Sequence, residues 1–287
     1  MKVAHRLEEL LPDERSVAIG SFDGVHRGHQ AVLAAADAGR PLTVVTFWPH
    51  PRLVLGNQVE LLSTLERRLE LLEESGVDEV LVVEFTPELA SREPEEFAES
   101  LLRRLGSRVI VVGENFRFGH AAAGDPQLLG ELGFEVRAVP TIDGISSTRI
   151  RGLLRDGEVV EAALLLGRPA EIEGTVVLGD RRGGTLGFPT ANLAVPPNLL
   201  VPQYGIYAGE ALGHRAAVSI GVNPHYGGDE RRVEPYLLDF EGELYGQALR
   251  VELWERLRDE RAFPTEAELV AQIAQDVERA RAATRPV

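Results

Sequence analysis

The chain contains no cysteine, and of its thirty basic residues only Lys2 is lysine. Each absence removes a class of chemistry. Without cysteine there are no disulfides, no thiolate zinc sites and no thiol nucleophile, and the composition fits a reducing compartment. With one lysine, at position 2, there is no P-loop, no strand lysine of the protein-kinase kind and no lysine Schiff base. No two of the 29 glycines are two residues apart, so the dinucleotide fingerprint G-x-G-x-x-G is missing too. No apolar run approaches the roughly 18 residues that a membrane helix needs. The first fifteen residues, "MKVAHRLEELLPDER", are charged throughout, so no signal peptide is expected. A net charge of −15 argues against a general nucleic-acid binder. These traits predict a soluble cytoplasmic protein with neither nucleic acid nor membrane as partner. If it handles nucleotides, it needs a phosphate device other than the usual ones.

At 287 residues the chain makes one large domain or two ordinary ones. The first half alternates apolar, β-branched runs with helical patterns. The runs are "SVAIG" (16–20), "LTVVTF" (42–47), "DEVLVVEF" (78–85), "RVIVVG" (108–113) and "FEVRAV" (134–139). Between them, Ser63-Thr64-Leu65-Glu66 is a capping box, and "EPEEFAESLLRRLG" (93–106) starts acidic and ends basic, as a helix dipole prefers. This pattern predicts a parallel, doubly wound sheet that binds ligands at its strands' carboxyl ends. Past Gly167-Arg168-Pro169, short alternating segments with turn residues predict an antiparallel barrel or sandwich. A final helix follows, capped at Thr265, with Leu269, Ile273, Val277 and Ala280 on its apolar face. The expected domains are residues 1–168 and 169–287.

"GSFDGVHRGH" (20–29) falls where the first apolar run gives way to a helix. His26 and His29 are three apart and share a helix face. Three readings stand: a metal site, which needs a third ligand; a core pair; or an anion site at a helix N-terminus. Gly28, between the histidines, would let a ligand approach the backbone. "ISSTRIRG" (145–152) opens another helical segment, either as a simple cap or as a second anion site with hydroxyls and arginines. "GTVVLGDRRGGTLGFPTANL" (174–193) carries five glycines and one proline, which suggests backbone folded around a ligand or a pair of hairpin turns. Thr190 and Asn192 would share one face of a strand and offer oxygen donors suited to Mg²⁺. Glu234 opens the strand of "EPYLLDF" and is a candidate general base for an alcohol.

"HRGH" and "ISSTRIR" resemble the H-x-G-H and I-S-S-T-x-x-R signatures of the nucleotidyltransferases. With "TFWPHP" (46–51), "GENFRFG" (113–119), "GFPTAN" (187–192) and "RLRDERAF" (256–263), the chain resembles the bacterial bifunctional riboflavin kinase/FMN adenylyltransferases. The resemblance implies a Rossmann-like α/β domain with a parallel sheet, then a six-stranded Greek-key β-barrel with a closing C-terminal helix. For adenylyl transfer it implies catalysis by His26 and His29. ATP would be held by Gly20, Phe22, Asp23, Gly24, His26, His29, Ser147, Thr148 and Arg151, and the flavin by Asn115, Phe116 and Arg117. Near a triphosphate both histidines would be protonated donors. For the kinase half it implies ATP on Gly174, Gly179, Gly187, Pro189, Thr190 and Asn192. Thr190 and Asn192 would hold Mg²⁺, Glu234 would be the base, and Glu234 and Arg258 would meet the flavin. ATP, riboflavin and FMN would be the substrates and FAD the final product. Many relatives carry Asp at 115, Arg at 184, Asn at 219, Thr at 225 and a basic residue at 262, where this chain has Asn115, Gly184, Ser219, His225 and Ala262. Arg181 and Arg182 are candidates to replace the charge missing at 184. The alternatives are an adenylyltransferase whose second domain only binds flavin, and a flavin-nucleotide sensor.

Overall fold

The computed structural model describes residues 1–179, 187–222 and 231–287. The chain divides into two compact units, Met1–Ser147 and Thr148–Val287.

The first unit is built on a six-stranded sheet with order β1-β4-β3-β2-β5-β6. Its strands are β1 (Lys2–Ala4), β2 (Arg15–Ile19), β3 (Leu42–Trp48), β4 (Glu79–Glu84), β5 (Ser107–Gly113) and β6 (Glu135–Val139). Every pairing is parallel, as the alternation of runs and helices predicts. β1 is an addition to the expected set, because three residues are too few to show a period. β2 is buried at all five positions, the pattern of a central strand covered on both faces. The two core clusters contain different sets of residues from β2: Val17 and Ile19 in one, Ala18 in the other. A polar latch is also buried. Arg15, 2% exposed, reaches Glu79 at 2.7 Å, and Thr43 donates to the same carboxylate at 2.8 Å. Burial opposes the Glu79 charge, but these hydrogen bonds outweigh it and hold its pKa below the usual carboxylate value.

The expected helix over 93–106 appears as Pro94–Phe97 running into a π-wound stretch, Ala98–Arg103. Helix α1 (Arg27–Ala34) follows β2, and α2 (Leu65–Glu74) lies between β3 and β4. Thr64 caps α2 by accepting from the Arg67 N–H at 3.1 Å. The chain winds from β2 outward through β3 to β4, then returns to add β5 and β6 on the other side. The carboxyl end of β2 is therefore the switch point of the sheet, the place where such folds bind ligands.

Helix α3 (Ser147–Arg155) begins at the last residue of the first unit, and α4 (Val159–Leu166) ends on a left-handed Gly167. The second unit is an antiparallel sheet of order β11-β10-β9-β12-β7-β8. Its strands are β7 (Ala170–Val177), β8 (Asn192–Ala194), β9 (Gly205–Ala211), β10 (His214–Val222), β11 (Arg231–Leu237) and β12 (Ala248–Arg258). The two outer strands meet: the Ala191 N–H donates to the Pro235 carbonyl at 2.9 Å, which nearly closes a six-stranded barrel. Helix α5 (Glu266–Ala282) starts at Thr265, whose hydroxyl accepts from the Glu268 N–H. Its Ala280, with Ala283 just beyond, packs with Ala208, Trp254 and Leu257. Val277 and Ala280 are buried as the periodicity predicts, but so is Asp276, which breaks the apolar pattern.

Candidate functional site

The stretch 20–29 forms a strained loop at the switch point. Phe22 and Val25 adopt left-handed φ values of 49° and 36°, and Gly24 has φ 80°. A Cβ on Gly24 would lie 2.9 Å from the Leu62 side chain, so this turn needs glycine. Such strain persists only where its surroundings over-determine it, and Asp23 does much of that. Its carboxylate, 2% exposed, accepts from the Leu62 N–H at 3.0 Å and the Ser63 N–H at 3.2 Å. It also lies 3.6 Å from the guanidinium of Arg68. The Asp23 side chain thus faces the protein and shapes the loop.

His26 caps α1 by accepting from the His29 N–H at 3.3 Å. The two imidazoles stack with centroids 3.7 Å apart and planes 16° apart. A Cβ on Gly28 would come within 3.1 Å of the His26 ring. What approaches this glycine is the protein's own histidine, where the sequence suggested a ligand. Burial, then the neighbouring His26 and Arg68, push the His29 pKa well below the ordinary histidine value. Its Nδ1 is buried with no hydrogen-bond partner. No three His, Cys, Asp or Glu side chains gather into a metal-ligating group among the described residues. The Ser147 hydroxyl donates to the Asp23 carbonyl at 3.2 Å, tying the second signature to the first. On α3, Thr148 is exposed and Arg151 is buried.

A cavity of about 790 Å³ opens beside the start of this loop, with Gly20 and Ser21 in its wall. Phe47, Phe85, Phe97 and Phe118 line it, together with Phe116 and Arg117. Phe116 and Phe118 stack at 5.6 Å with planes 13° apart, and Phe47 meets Phe85 edge-on. The space suits a flat aromatic ligand. Of the three expected flavin residues, Phe116 and Arg117 are here, whereas Asn115 is exposed and outside the lining. The other phenylalanines were missed by the sequence reading. The usable signal was position: Phe47 is the penultimate residue of β3 and Phe85 follows β4, both at carboxyl ends of the sheet.

In the second unit the structure brings the "FPTAN" segment to β11. The Ala191–Pro235 hydrogen bond places Thr190 and Asn192 beside the strand that carries Glu234, and Phe188 meets Tyr236 edge-on at 5.6 Å. Thr190 lies just before β8 rather than on it. Glu234 pairs in register with Ser219, one of the departures from the resemblance. Two of the expected ATP glycines make room for protein. A Cβ on Gly174 would lie 2.8 Å from the Ala194 carbonyl, and one on Gly179 would overlap the Asn192 amide. Gly187 has φ 87°, with no atom of the described residues within 4 Å of where a Cβ would stand, and Pro189 is exposed. Arg258, expected at the flavin, donates from Nε and Nη2 to Asp276 at 2.9 and 2.7 Å. Gly184, His225, Arg181 and Arg182 lie outside the described residues.

Two family models match in tandem: FAD synthetase over residues 9–151 and riboflavin kinase over 166–284. The bifunctional riboflavin kinase/FMN adenylyltransferase of Listeria monocytogenes is 38% identical, over 93% of this chain and 91% of its own length. The Escherichia coli K12 protein of that name is 37% identical over 96% and 95%. A solved structure from Streptococcus pneumoniae, described as a macrolide-efflux protein, superposes with a TM-score of 0.88 at 31% identity, over 97% of this chain and 98% of that one. With both modules matched in order and near-full-length relatives above 30% identity, the chain belongs to the bifunctional riboflavin kinase/FMN adenylyltransferase family.

Proposed function

We infer that the chain is a bifunctional FAD synthetase, which phosphorylates riboflavin with ATP to give FMN and ADP and then adenylylates FMN with a second ATP to give FAD and pyrophosphate. The observation that best supports the second step is a juxtaposition. A histidine stack whose His29 Nδ1 is buried and orphaned caps α1, and an aromatic cavity starts at Gly20, six residues before His26.

In adenylyl transfer an oxygen of the FMN phosphate attacks the α-phosphorus of ATP, and the bond to the β-phosphate breaks to release pyrophosphate. The phosphate is already a nucleophile, so the protein's task is alignment and charge stabilisation. The cavity would hold the isoalloxazine through its phenylalanines. His26, His29 and the N-terminus of α1 would face the ATP phosphates, and Thr148 and Arg151 would hold the departing pyrophosphate. The hydroxyl of Ser147 already secures the loop. In the kinase step Glu234 would take the proton of the riboflavin 5′-hydroxyl as its oxygen attacks the γ-phosphorus of ATP. The Thr190 hydroxyl and the Asn192 amide oxygen are hard donors beside Glu234, and Gly179 leaves the space the amide occupies. They fit Mg²⁺, which prefers oxygen and takes its remaining ligands from phosphates and water. Bound there, the ion would neutralise phosphate charge. Arg258, bound to Asp276, would act on the flavin site by fixing α5. A cysteine-free chain that consumes ATP fits the cytoplasm.

The test is incubation with riboflavin, ATP and Mg²⁺ and chromatographic separation of the flavins. FAD formed from riboflavin is the expected result. FAD formed only from supplied FMN would remove the kinase step, and no product from either would overturn the reading.

A further inference from the structure

Arg68 belongs to none of the motifs, yet it lies wholly inside the protein behind the histidine loop. Its side chain is 0% exposed, so it cannot touch a nucleotide in this conformation. The guanidinium stands 3.6 Å from the Asp23 carboxylate and 5.6 Å from the centroid of the Trp48 ring. Asp23 in turn holds the Leu62–Ser63 backbone through its carboxylate and Ser147 through its carbonyl. Arg68 therefore buttresses the residue that shapes the loop. A buried arginine retains its charge at any working pH. Burying that charge is costly, so the pairing with Asp23 matters to both residues.

We propose that Arg68 is a positioning residue of the adenylyl-transfer site: paired with Asp23 behind the loop, it holds the loop that carries the His26–His29 stack in shape. The proposal rests on the adenylyl-transfer reading of that loop. Among the described residues, His26 stacks on His29 from the same loop, and Arg68 from α2, beside Asp23, acts on it electrostatically. Burial first, then His26 and Arg68, oppose protonation of His29 in the free protein. A triphosphate would reverse that balance. The site then gains proton-donating capacity when the anion arrives, provided the loop holds the stack in place.

The test compares the wild type with Arg68→Lys and Arg68→Met in the full chain. One readout is the His29 titration midpoint by NMR in the free protein; the other is kcat and KM for ATP in FAD formation from FMN across pH. In Arg68→Met the midpoint should rise by roughly half a unit or more toward the ordinary histidine value. KM for ATP should rise about tenfold, as expected when the groups that align an anion lose their support. Arg68→Lys keeps the charge and should restore most of both. If Arg68→Met fails to fold because Asp23 is left uncompensated, Asp23→Asn/Arg68→Met removes the buried pair together and is read the same way. An unmoved midpoint and KM in a folded Met variant, or equal effects of Lys and Met, would overturn the assignment. A wild type that makes no FAD from FMN would instead overturn the adenylyl-transfer reading, whatever the His29 midpoint does.

Discussion

His29 shows how one side chain can be prepared for a ligand. Burial, His26 and Arg68 depress its pKa, so it is neutral near pH 7 in the free protein. In the unfolded chain it would titrate near 6.5. The unfolded state therefore binds more protons below that value. The stability His29 contributes is present above about pH 6.5 and lost as the pH falls toward its native pKa. Addition of ATP should move the NMR midpoint upward, because a polyphosphate favours the charged imidazole; a midpoint that stays put would remove the histidines from the phosphate site. The position of the pair was readable in the sequence, since a strand end followed by H-x-x-H and a helix is visible in the letters. The stacking was not. It depends on Gly28 having no Cβ to block the His26 ring, and on a loop whose left-handed Phe22 and Val25 no propensity would suggest.

At the level of elements, the last helix carries the clearest surprise. Its apolar spacing predicts a helix docked by Leu269, Ile273, Val277 and Ala280, yet it also buries Asp276. That carboxylate takes hydrogen bonds from Arg258 at 2.7, 2.9 and 3.1 Å and one from Gln272 at 3.0 Å. Asp276→Ala leaves the arginine without its carboxylate, at a cost of roughly 3 kcal/mol. It should lower the melting temperature of the second unit and reduce FMN formation, read by calorimetry and the flavin assay. Asp276→Glu should recover part of both, and unchanged FMN formation in Asp276→Ala would show that the latch does not support the kinase site. Periodicity reports apolar positions and is silent about a charged one that finds its partner far along the chain. For the same reason the barrel strands were legible as segments, while the closure of β8 onto β11 was not. That closure runs through a backbone hydrogen bond between residues 44 apart in sequence, Ala191 and Pro235.

For the whole molecule, the proposed reading gives each of the two reactions its own set of residues. Glu234→Gln should slow FMN formation while FAD formation from supplied FMN persists, and His29→Ala should do the reverse. Both are followed by separating the flavins over time. If either change abolished both activities in a folded protein, independent sites would be wrong. The division into a parallel α/β unit and an antiparallel β unit was visible in the alternation of the first half and the turn-punctuated second half. The aromatic cavity was only half visible, because its phenylalanines come from distant stretches and meet only once β3 and β4 lie side by side in the sheet.

One small feature limits how the first site could be engineered. Asp23 binds the 62–63 backbone and stands by Arg68 through its carboxylate, and it accepts the Ser147 hydroxyl through its carbonyl. The ten residues from Gly20 to His29 are therefore not a portable cassette. Grafted alone onto another parallel sheet, they would carry the sequence of the motif without its shape. A transplant that works would have to bring residues 61–68 and the start of α3 with it. By the same reasoning, substitutions in those three stretches should be tolerated in combinations rather than one at a time.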